Sequence, residues 1–499
     1  MKSFLCLIAA SLFVTFSNGK VPPLKKSPHL YIAHFENVLG TSLELKITSP
    51  SKAIAQNGEE KVLSEISRMS KILSAYDPSS EFSRWFGTQQ QAIKISPELF
   101  EVLQLFDEWR VRSGGVLDAS AEAVSRLWKK DAAMNRVPGA EELATVLSAI
   151  KQPHWKLDAA AHTATHLDNT PLVLNSFIKS YIIKHAASAA MHSGNMNAVV
   201  VNIGGDLVVA GDAAEIVAIT DPVADAENEA PIGQLLVNNK AVATSGNYRR
   251  GELINGHWYS HIVDPRTGQP ADNIISATVV ADNATDAGAL ATAFNVMTPA
   301  ESIQLGATIP GAEYLIITKN GERIASKGWD ALTVPVKKTA GSTIQNNTAA
   351  EYELMINLEI KTQQQGFAKR PYVAVWVEDE NHAPVRTITV WHGSDRYMNE
   401  LKSWYLKYRN SYTSDNNFRS TVTSATRSPG KYTLKWDGKD DKGNMLKQGR
   451  YTIKIEISRE HGTYQLMRQE IDLDEKPKQL TLAGNTEIES VMFDYRKKN

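Results

Sequence analysis

The sequence predicts an α+β domain followed by an all-β, immunoglobulin-like sandwich, and three observations support this. Helical and strand-like patterns alternate from residue 20 to 338. Residues 339–350 are small and polar without an apolar period, which is typical of a linker. Residues 351–499 then change to short alternating runs between turn clusters, as in a sandwich. A chain of 499 residues is also too long for a single core.

The first nineteen residues, MKSFLCLIAASLFVTFSNG, predict a cleaved secretory signal. One Lys precedes an apolar run from Phe4 to Phe16, and the small residues Ser17 and Gly19 follow it. The alternative is an uncleaved anchor, but the run is shorter than the ~20 residues that span a bilayer. We therefore expect an exported protein, most simply a periplasmic one.

Charge and cysteine content exclude several classes of function. The chain carries 54 Lys and Arg against 55 Asp and Glu, so its balance does not favour nucleic-acid binding or a polybasic membrane arm. Cys6 is the single cysteine and lies in the predicted signal. Cysteine catalysis, zinc–thiolate sites and internal disulfides are therefore excluded for the mature chain.

Within the first domain, apolar periodicity and capping residues predict individual elements. Ser96 followed by Pro97 is a helix start signal, with Ser96 as the N-cap. The predicted helices cover residues 59–76, 96–113, 176–194 and 284–297. The predicted strands lie within residues 197–211 and 274–282.

The stretch VNIGGDLVVAG, residues 201–211, places two glycines between apolar runs. A dinucleotide fingerprint requires its glycines between a strand and a helix, so that interpretation is excluded. Gly204 and Gly205 predict a tight hairpin turn, or a turn that also shapes a ligand site. The stretch alone leaves both interpretations open.

Three further stretches carry residues that could do chemistry. ATSGNYRR (243–250) and YSHIVDPRTGQP (259–270) place glycines beside hydroxyl residues, where backbone N–H groups can gather around anionic oxygens. His261 is either structural or catalytic on this pattern. Thr292, in ATDAGALATAFNVM (284–297), is predicted to bond the backbone one turn earlier in its own helix.

Taken in order, these motifs resemble the ApbE-type FAD:protein FMN transferases over about residues 30 to 330. The other stretches that carry the resemblance are LGTSLELKI (39–47), LSAYDPSSEFSRW (73–85), GGVLDASAEAVSRLW (114–128) and LVLNSFIKSY (172–181). The resemblance implies that the Gly-Gly-Asp turn forms the floor of a flavin site.

The resemblance also implies an activity. In the family, FAD is cleaved at its pyrophosphate, FMN is joined to a Ser or Thr hydroxyl of an exported electron-transfer protein, and AMP leaves, with Mg²⁺ on the phosphate oxygens. The family's acceptor motif, Asp-x-x-Ser/Thr-Gly-Ala-Thr, does not occur in this chain, so modification of the chain by itself is not expected. Two alternatives remain: a non-catalytic module that binds FAD or a partner, and an FAD pyrophosphatase.

The resemblance assigns roles to residues of this chain. His261 is the implied base that takes the proton from the acceptor hydroxyl. The implied FAD-binding residues are Tyr76, Asp118, Lys179, Gly204, Gly205, Ser245, Gly246 and Arg266. The implied metal ligands are Thr292, Ser176 and Asp286.

Two departures from the family pattern concern the metal. The family's metal helix reads A-D-A-L-A-T, and Gly288 stands at the position of the Asp. Asp286 could substitute for that carboxylate only if the helix began late. Upstream, where the family has D-L-G-G-I-A-K-G, Val173 replaces the Asp and Ser180 replaces a Gly, while Lys179 is retained.

In the predicted sandwich, WDGKDDKGNMLKQGRYTIKI (436–455) resembles immunoglobulin-like modules of periplasmic and flagellar hook-capping proteins. The resemblance concerns the fold alone. We expect this domain to dock the flavin-accepting partner or the membrane complex that holds it.

Overall fold

The computed structural model describes residues 29–229, 231–247, 250–335, 351–362, 370–393, 395–459, 462–474 and 476–498. The predicted signal peptide with Cys6 and the predicted linker lie outside the described residues. Both therefore stay predictions. Among the helices that the structure describes, none has the length and apolar content needed to cross a membrane.

The first domain consists of eighteen strands and nine helices within the described residues. The strands are β1 (His29–Val38), β2 (Thr41–Ser49), β3 (Ala92–Lys94), β4 (Trp155–Asp158), β5 (Thr163–His166), β6 (Ala198–Ile203), β7 (Asp206–Gly211), β8 (Ala214–Ile219), β9 (Gly233–Asn238), β10 (Ala241–Gly246), β11 (Gly251–Ile254), β12 (His257–Ser260), β13 (Val263–Asp264), β14 (Gln269–Pro270), β15 (Ile274–Ala281), β16 (Glu313–Thr318), β17 (Arg323–Ala325) and β18 (Thr333–Val334). The helices are α1 (Lys52–Leu73), α2 (Glu81–Phe86), α3 (Pro97–Arg112), α4 (Ala121–Ala132), α5 (Ala140–Ile150), α6 (Ile178–Met191), α7 (Ala284–Val296), α8 (Pro299–Gly306) and α9 (Trp329–Leu332).

An eight-stranded sheet in the order β1-β2-β6-β7-β10-β15-β16-β17 forms the centre of this domain. Its apolar residues on one face join those of α1, α3, α6 and α7 in one large core. On the other face a smaller core lies beneath the three-stranded sheet β18-β9-β8. The α+β prediction is confirmed, and the sheet places the β6–β7 turn beside helices α6 and α7.

The predicted helices occur with shifted ends. Ser96 caps α3 as predicted, since its side chain accepts a hydrogen bond from the Leu99 backbone N–H. The first helix begins earlier than predicted, at Lys52, because Ser51 caps it, and it ends at Leu73. Tyr76 therefore lies beyond this helix.

The second domain consists of nine strands and two α-helices within the described residues. They are β19 (Tyr352–Ile360), β20 (Tyr372–Glu378), β21 (Pro384–His392), α10 (Lys402–Ser414), α11 (Asn416–Val422), β22 (Thr423–Ala425), β23 (Gly430–Trp436), β24 (Gly449–Ser458), β25 (Tyr464–Leu473), β26 (Lys478–Ala483) and β27 (Ile488–Lys497). Sheets of four strands (β23-β19-β27-β26) and five strands (β22-β21-β20-β24-β25) contribute to a shared apolar core.

The prediction that this domain is all-β was wrong for residues 395–422, which form a short 3₁₀ helix, α10 and α11. These helices pack on the five-stranded sheet through an aromatic cluster. Trp404, Tyr408 and Tyr412 are buried at four-residue spacing on one face of α10. That spacing is a helical signal, and it was hidden among strand-like aromatic runs.

The loop between β8 and β9 contacts the edge of the second domain. The Asn228 side chain donates to the Lys435 backbone carbonyl (2.8 Å) and accepts from the Lys435 N–H (2.8 Å), and the Glu227 N–H donates to the Thr433 carbonyl (2.8 Å). Lys435 also pairs with Asp225 at 3.2 Å. The contact covers β23, an edge strand of the four-stranded sheet.

Candidate functional site

The Gly-Gly turn joins β6 to β7 and requires both of its glycines. Gly204 and Gly205 have φ values of +63° and +100°, which L side chains rarely adopt. A Cβ on Gly204 would also lie 2.8 Å from the Thr41 side chain. The turn prediction is confirmed, whereas contact with a flavin stays a prediction.

Asp206 follows the turn and faces the first turns of α6. The Ser180 hydroxyl donates to its Oδ2 at 2.8 Å. Burial of the carboxyl group raises the pKa of Asp206 to about 6, against the opposing effects of the Ser180 hydrogen bond and the nearby Lys179 ammonium. Ser180, a departure from the family pattern, is thus fixed between α6 and the turn.

Thr292 and Ser176 lie together, as predicted, but through a different contact. The Thr292 hydroxyl donates to the Ser176 backbone carbonyl at 2.7 Å. The prediction that Thr292 bonds the backbone of its own helix was wrong, because the chain segment before α6 offers its carbonyl to α7. This bond uses the hydroxyl proton of Thr292 and one lone pair of the carbonyl, and it leaves the lone pairs of the hydroxyl oxygen available.

Asp286 lies elsewhere on α7. The helix begins at Ala284, and Asn283 caps it by accepting from the Thr285 N–H at 3.0 Å, so the late start that Asp286 required does not occur. Six residues of a regular helix place Asp286 about 120° around the axis from Thr292. Burial raises its pKa, and the charged groups around it are Arg112, Lys184 and Glu108.

The space beside Gly288 is already filled. A Cβ at this position would lie 2.2 Å from the Ser180 Oγ and 2.9 Å from its Cβ. The family pattern has an Asp on α7 and a Gly on α6. This chain instead has the small residue, Gly288, on α7 and the larger residue, Ser180, on α6. Thr292 and Ser176 bring one hydroxyl oxygen and one carbonyl oxygen together, but Asp286 lies on another face of α7, so the predicted set lacks the carboxylate that a hard cation usually takes.

Clusters of acidic, histidine or cysteine side chains are a separate kind of metal site. No group of three His, Cys, Asp or Glu residues that could hold an ion occurs within the described residues. Mg²⁺ dependence stays a prediction from the family pattern, with a donor set that does not support it.

His261 follows the β11–β12 hairpin and is held by one backbone group. Its Nδ1 lies 3.0 Å from the Arg250 carbonyl, and its own N–H donates to the same oxygen at 3.3 Å. Because a carbonyl only accepts, Nδ1 must carry the proton, which leaves the Nε2 lone pair of the neutral ring available. The backbone contact therefore fixes the ring and its tautomer, and it leaves Nε2 able to accept a proton.

The electrostatic surroundings of His261 are cationic. Removal of water around the ring lowers its pKa, and the charges of Arg250, Lys129 and Lys179 act in the same direction, against the Arg250 carbonyl. The ring is therefore neutral near pH 7, the state that a proton acceptor needs. Of the three cations, the sequence predicted Lys179 and missed Lys129 and Arg250.

Arg266 is engaged by two carboxylates. Its guanidinium bonds Asp264 (Nη2 to Oδ2, 2.8 Å) and Glu301 (Nη1 to Oε1, 2.7 Å), and these contacts raise its pKa. The Asp264 side chain also accepts from the Arg266 N–H at 2.8 Å, which builds the turn. Arg266 lies near Gly115, whose Cβ position is 3.7 Å from the Arg266 Cγ.

The remaining predicted residues lie at the ends of elements. Asp118 is buried and accepts from Arg110 (2.8 Å) and from the Ser120 hydroxyl (2.5 Å). Tyr76 is 73% exposed, and its hydroxyl accepts from the Asn175 amide at 2.5 Å. The Ser245 carbonyl accepts from Asn295 (3.1 Å), and Gly246 pairs with Ser276 in the central sheet. Tyr248, in the stretch ATSGNYRR (243–250), lies outside the described residues.

The fold and these residues define an α+β protein in which a histidine with an unprotonated Nε2 experiences the charges of Arg250, Lys129 and Lys179. A model of the ApbE family matches residues 39–316. The chain therefore belongs to the ApbE family. A second model, described as a predicted periplasmic protein of unknown function (DUF2271), matches residues 353–490.

Characterised relatives support this assignment at low identity. The FAD:protein FMN transferase of Escherichia coli K12 is 24% identical over 327 residues, which cover 63% of this chain and 92% of that protein. The enzyme of the same name from Haemophilus influenzae is 28% identical over 300 residues, or 57% of this chain and 86% of that protein.

Solved structures agree in fold. The ApbE protein of Thermotoga maritima superposes with a TM-score of 0.56 at 24% identity and covers 62% of this chain and 100% of its own. The flavinyl transferase ApbE of Pseudomonas stutzeri gives 0.52 at 21% identity, with 61% and 97% covered.

Proposed function

We propose that this chain is an FAD:protein FMN transferase that acts on a Ser or Thr hydroxyl of an exported electron-transfer protein. The names of the relatives and the family match support the activity. The observation that assigns the activity to these residues is the unprotonated Nε2 of His261, whose ring experiences the charges of Arg250, Lys129 and Lys179. The description of the second domain as periplasmic supports the export of the protein.

The proposed reaction forms one bond and breaks one. The acceptor hydroxyl oxygen attacks the phosphorus of the FMN half of FAD, and its proton passes to Nε2 of His261. The pyrophosphate P–O bond to the AMP half breaks, and AMP leaves with that bridging oxygen. A phosphoester between FMN and the acceptor remains. Lys179, Lys129 and Arg250 lie where they can offset the negative charge that develops.

Mass spectrometry tests this proposal. The full chain is incubated with FAD and a peptide that carries the acceptor motif Asp-x-x-Ser/Thr-Gly-Ala-Thr, once with Mg²⁺ and once with EDTA. We expect the peptide to gain FMN and AMP to appear in equal amount. FMN and AMP without modified peptide would instead identify an FAD pyrophosphatase.

A non-catalytic FAD- or partner-binding module is the second candidate. The filled space beside Gly288 favours it, because a transferase that depends on a cation there would have lost it. Retention of FAD without any turnover in the same incubation would establish this function.

A further inference from the structure

We propose that this chain binds the pyrophosphate of FAD without a divalent cation, with Ser180 filling the cation position and Lys129, Lys179 and Arg250 supplying the positive charge. The inference rests on the proposed function, since it concerns the same FAD site. It differs from the Mg²⁺ dependence that the family pattern implies.

Ser180 occupies the space that a side chain at position 288 would need. Gly288 and Thr292 are one turn apart on α7 and face the segment that leads into α6. The Ser180 hydroxyl lies within 2.2 Å of a Cβ built on Gly288, so a side chain at 288 and the serine cannot both be present without a shift. The serine is also fixed by its 2.8 Å hydrogen bond to Asp206.

The oxygen donors beside Gly288 lack a carboxylate from α7. A hard cation such as Mg²⁺ takes oxygen ligands in near-octahedral geometry, usually with at least one carboxylate. The Thr292 hydroxyl and the Ser176 carbonyl supply two oxygens but no carboxylate, and Asp286 lies near Arg112 and Lys184 on another face of α7. The Asp206 carboxylate accepts a hydrogen bond from the Ser180 hydroxyl and so holds the serine in the space beside Gly288.

Three basic side chains, those of Lys129, Lys179 and Arg250, supply positive charge near His261. Within the described ranges, neither Lys129 nor Lys179 has a carboxylate oxygen within the 4.0 Å of an ion pair, unlike Arg266 with its two partners. Arg250 holds the His261 ring through its carbonyl at 3.0 Å, Lys179 directly precedes Ser180 on α6, and the charges of both residues and of Lys129 act on His261. Three cations around the base can neutralise a pyrophosphate directly, as Lys and Arg do in phosphate sites generally.

The test is calorimetric titration of the full chain with FAD in EDTA and again in excess Mg²⁺. We expect dissociation constants within about twofold of each other. Tightening of about tenfold or more by Mg²⁺ would overturn the proposal. FAD binding in EDTA without FMN transfer would remove the proposed function and leave this inference standing, whereas the absence of FAD binding in both buffers would remove both.

Charge variants test the cations separately. Lys129→Ala and Arg250→Ala should each weaken FAD binding in EDTA by about three- to tenfold. Lys130→Ala is the matched control, because Lys130 follows Lys129 on α4 but lies 3.9 Å from Glu142. An equal effect of all three substitutions, or of none, would contradict the role given to Lys129 and Arg250.

Substitutions at Gly288 and Ser180 can be followed by melting temperature and Mg²⁺ titration, which do not depend on FAD turnover. Gly288→Asp alone should lower the melting temperature, because its Cβ meets Ser180, and should bind no Mg²⁺. The double variant Ser180→Gly with Gly288→Asp should regain that stability and release heat on Mg²⁺ titration, with Ser180→Gly alone as the control. A stable Gly288→Asp single variant that binds Mg²⁺ would show that Ser180 does not fill the position. If the double variant fails to fold, the wild-type titrations still decide the proposal.

Discussion

At the scale of single residues, the site depends on two side chains whose protonation is set by their surroundings. The pKa of His261 is lowered because its ring is partly removed from water and faces cations. The pKa of Asp206 is raised, to about 6, because its carboxyl group is enclosed. The two groups therefore respond to pH in opposite ways, one through activity and the other through stability.

Replacement of His261 tests the base. His261→Ala should abolish FMN transfer and leave FAD binding within a few-fold, because the imidazole accepts a proton rather than holding the nucleotide. Transfer is followed by peptide mass and binding by calorimetry. A matching loss of binding would instead make His261 a pocket-shaping residue.

The same residue fixes the pH profile of transfer. Because the pKa of His261 lies below its ordinary value of about 6.5, the neutral base is present at pH 7 and is lost only at more acidic pH. The rate should be flat near and above pH 7 and should fall only at pH values below the ordinary pKa of histidine, about 6.5. A rate that already declines between pH 8 and 7 would contradict this assignment.

Asp206 should make the protein more stable in mild acid. Its folded-state pKa of about 6 exceeds the unfolded value, so the stabilisation is fully present below the unfolded pKa and is lost as the pH rises through about 6. The contribution between pH 5 and pH 8 is about 1 kcal/mol. Asp206→Asn should remove this difference in urea unfolding, and a difference of unchanged size in the variant would attribute it to other groups.

At the scale of elements, helix α10 begins with a cap borrowed from the neighbouring sheet. Leu401 occupies the N-cap position and supplies no side-chain hydrogen bond. The buried Glu456 of β24 accepts instead from the Ser403 N–H (2.7 Å) and the Trp404 N–H (2.8 Å). This contact ties the helix to the sheet at its positive end.

Removal of this cap should destabilise the second domain. Glu456→Ala leaves two backbone N–H groups without their partner and should cost about 2 to 3 kcal/mol in chemical unfolding. Glu470→Ala is the control, because Glu470 lies on the adjacent β25 with a 68% exposed side chain. Equal effects of the two substitutions would contradict the capping role.

At the scale of the whole molecule, the two domains are connected by the predicted linker and by the contact of the β8–β9 loop with β23. Each domain has its own apolar core. The contact combines hydrogen bonds between the Asn228 side chain and the Lys435 backbone with ion pairs of the Lys435 side chain. Arg496 adds a second cation, 3.1 Å from Asp225.

Limited proteolysis should reveal both connections. Cleavage is expected first within residues 339–350, and the two pieces should co-elute at low salt because the loop contact persists. At low salt Lys435→Ala should separate the pieces more readily than the wild type, and at about 1 M salt, where the Debye length is about 3 Å, that difference should shrink because the ion pairs are screened in both proteins. First cleavage within residues 30–330, or immediate separation of the wild-type pieces at low salt, would contradict this organisation.

The sequence by itself determined the features that depend on local pattern: the Ser96 cap of α3, the hairpin at Gly204 and Gly205, and the motifs that resemble the ApbE family. Such features follow from neighbouring residues, whose preferences act within a few positions. The helices over residues 395–422 were missed because their aromatic residues are equally common in strands.

The tertiary structure alone decided how distant residues combine. Ser180 and Gly288 are 108 positions apart in the sequence, and only the packing of α6 against α7 brings the serine hydroxyl into the space that a side chain at 288 would need. In the same way, the approach of α7 to the segment before α6 gave Thr292 its carbonyl partner, and the β11–β12 hairpin brought Arg250 back to His261. Sequence pattern reports which residues are present, whereas excluded volume and hydrogen-bond geometry between separate elements decide which of them can act together.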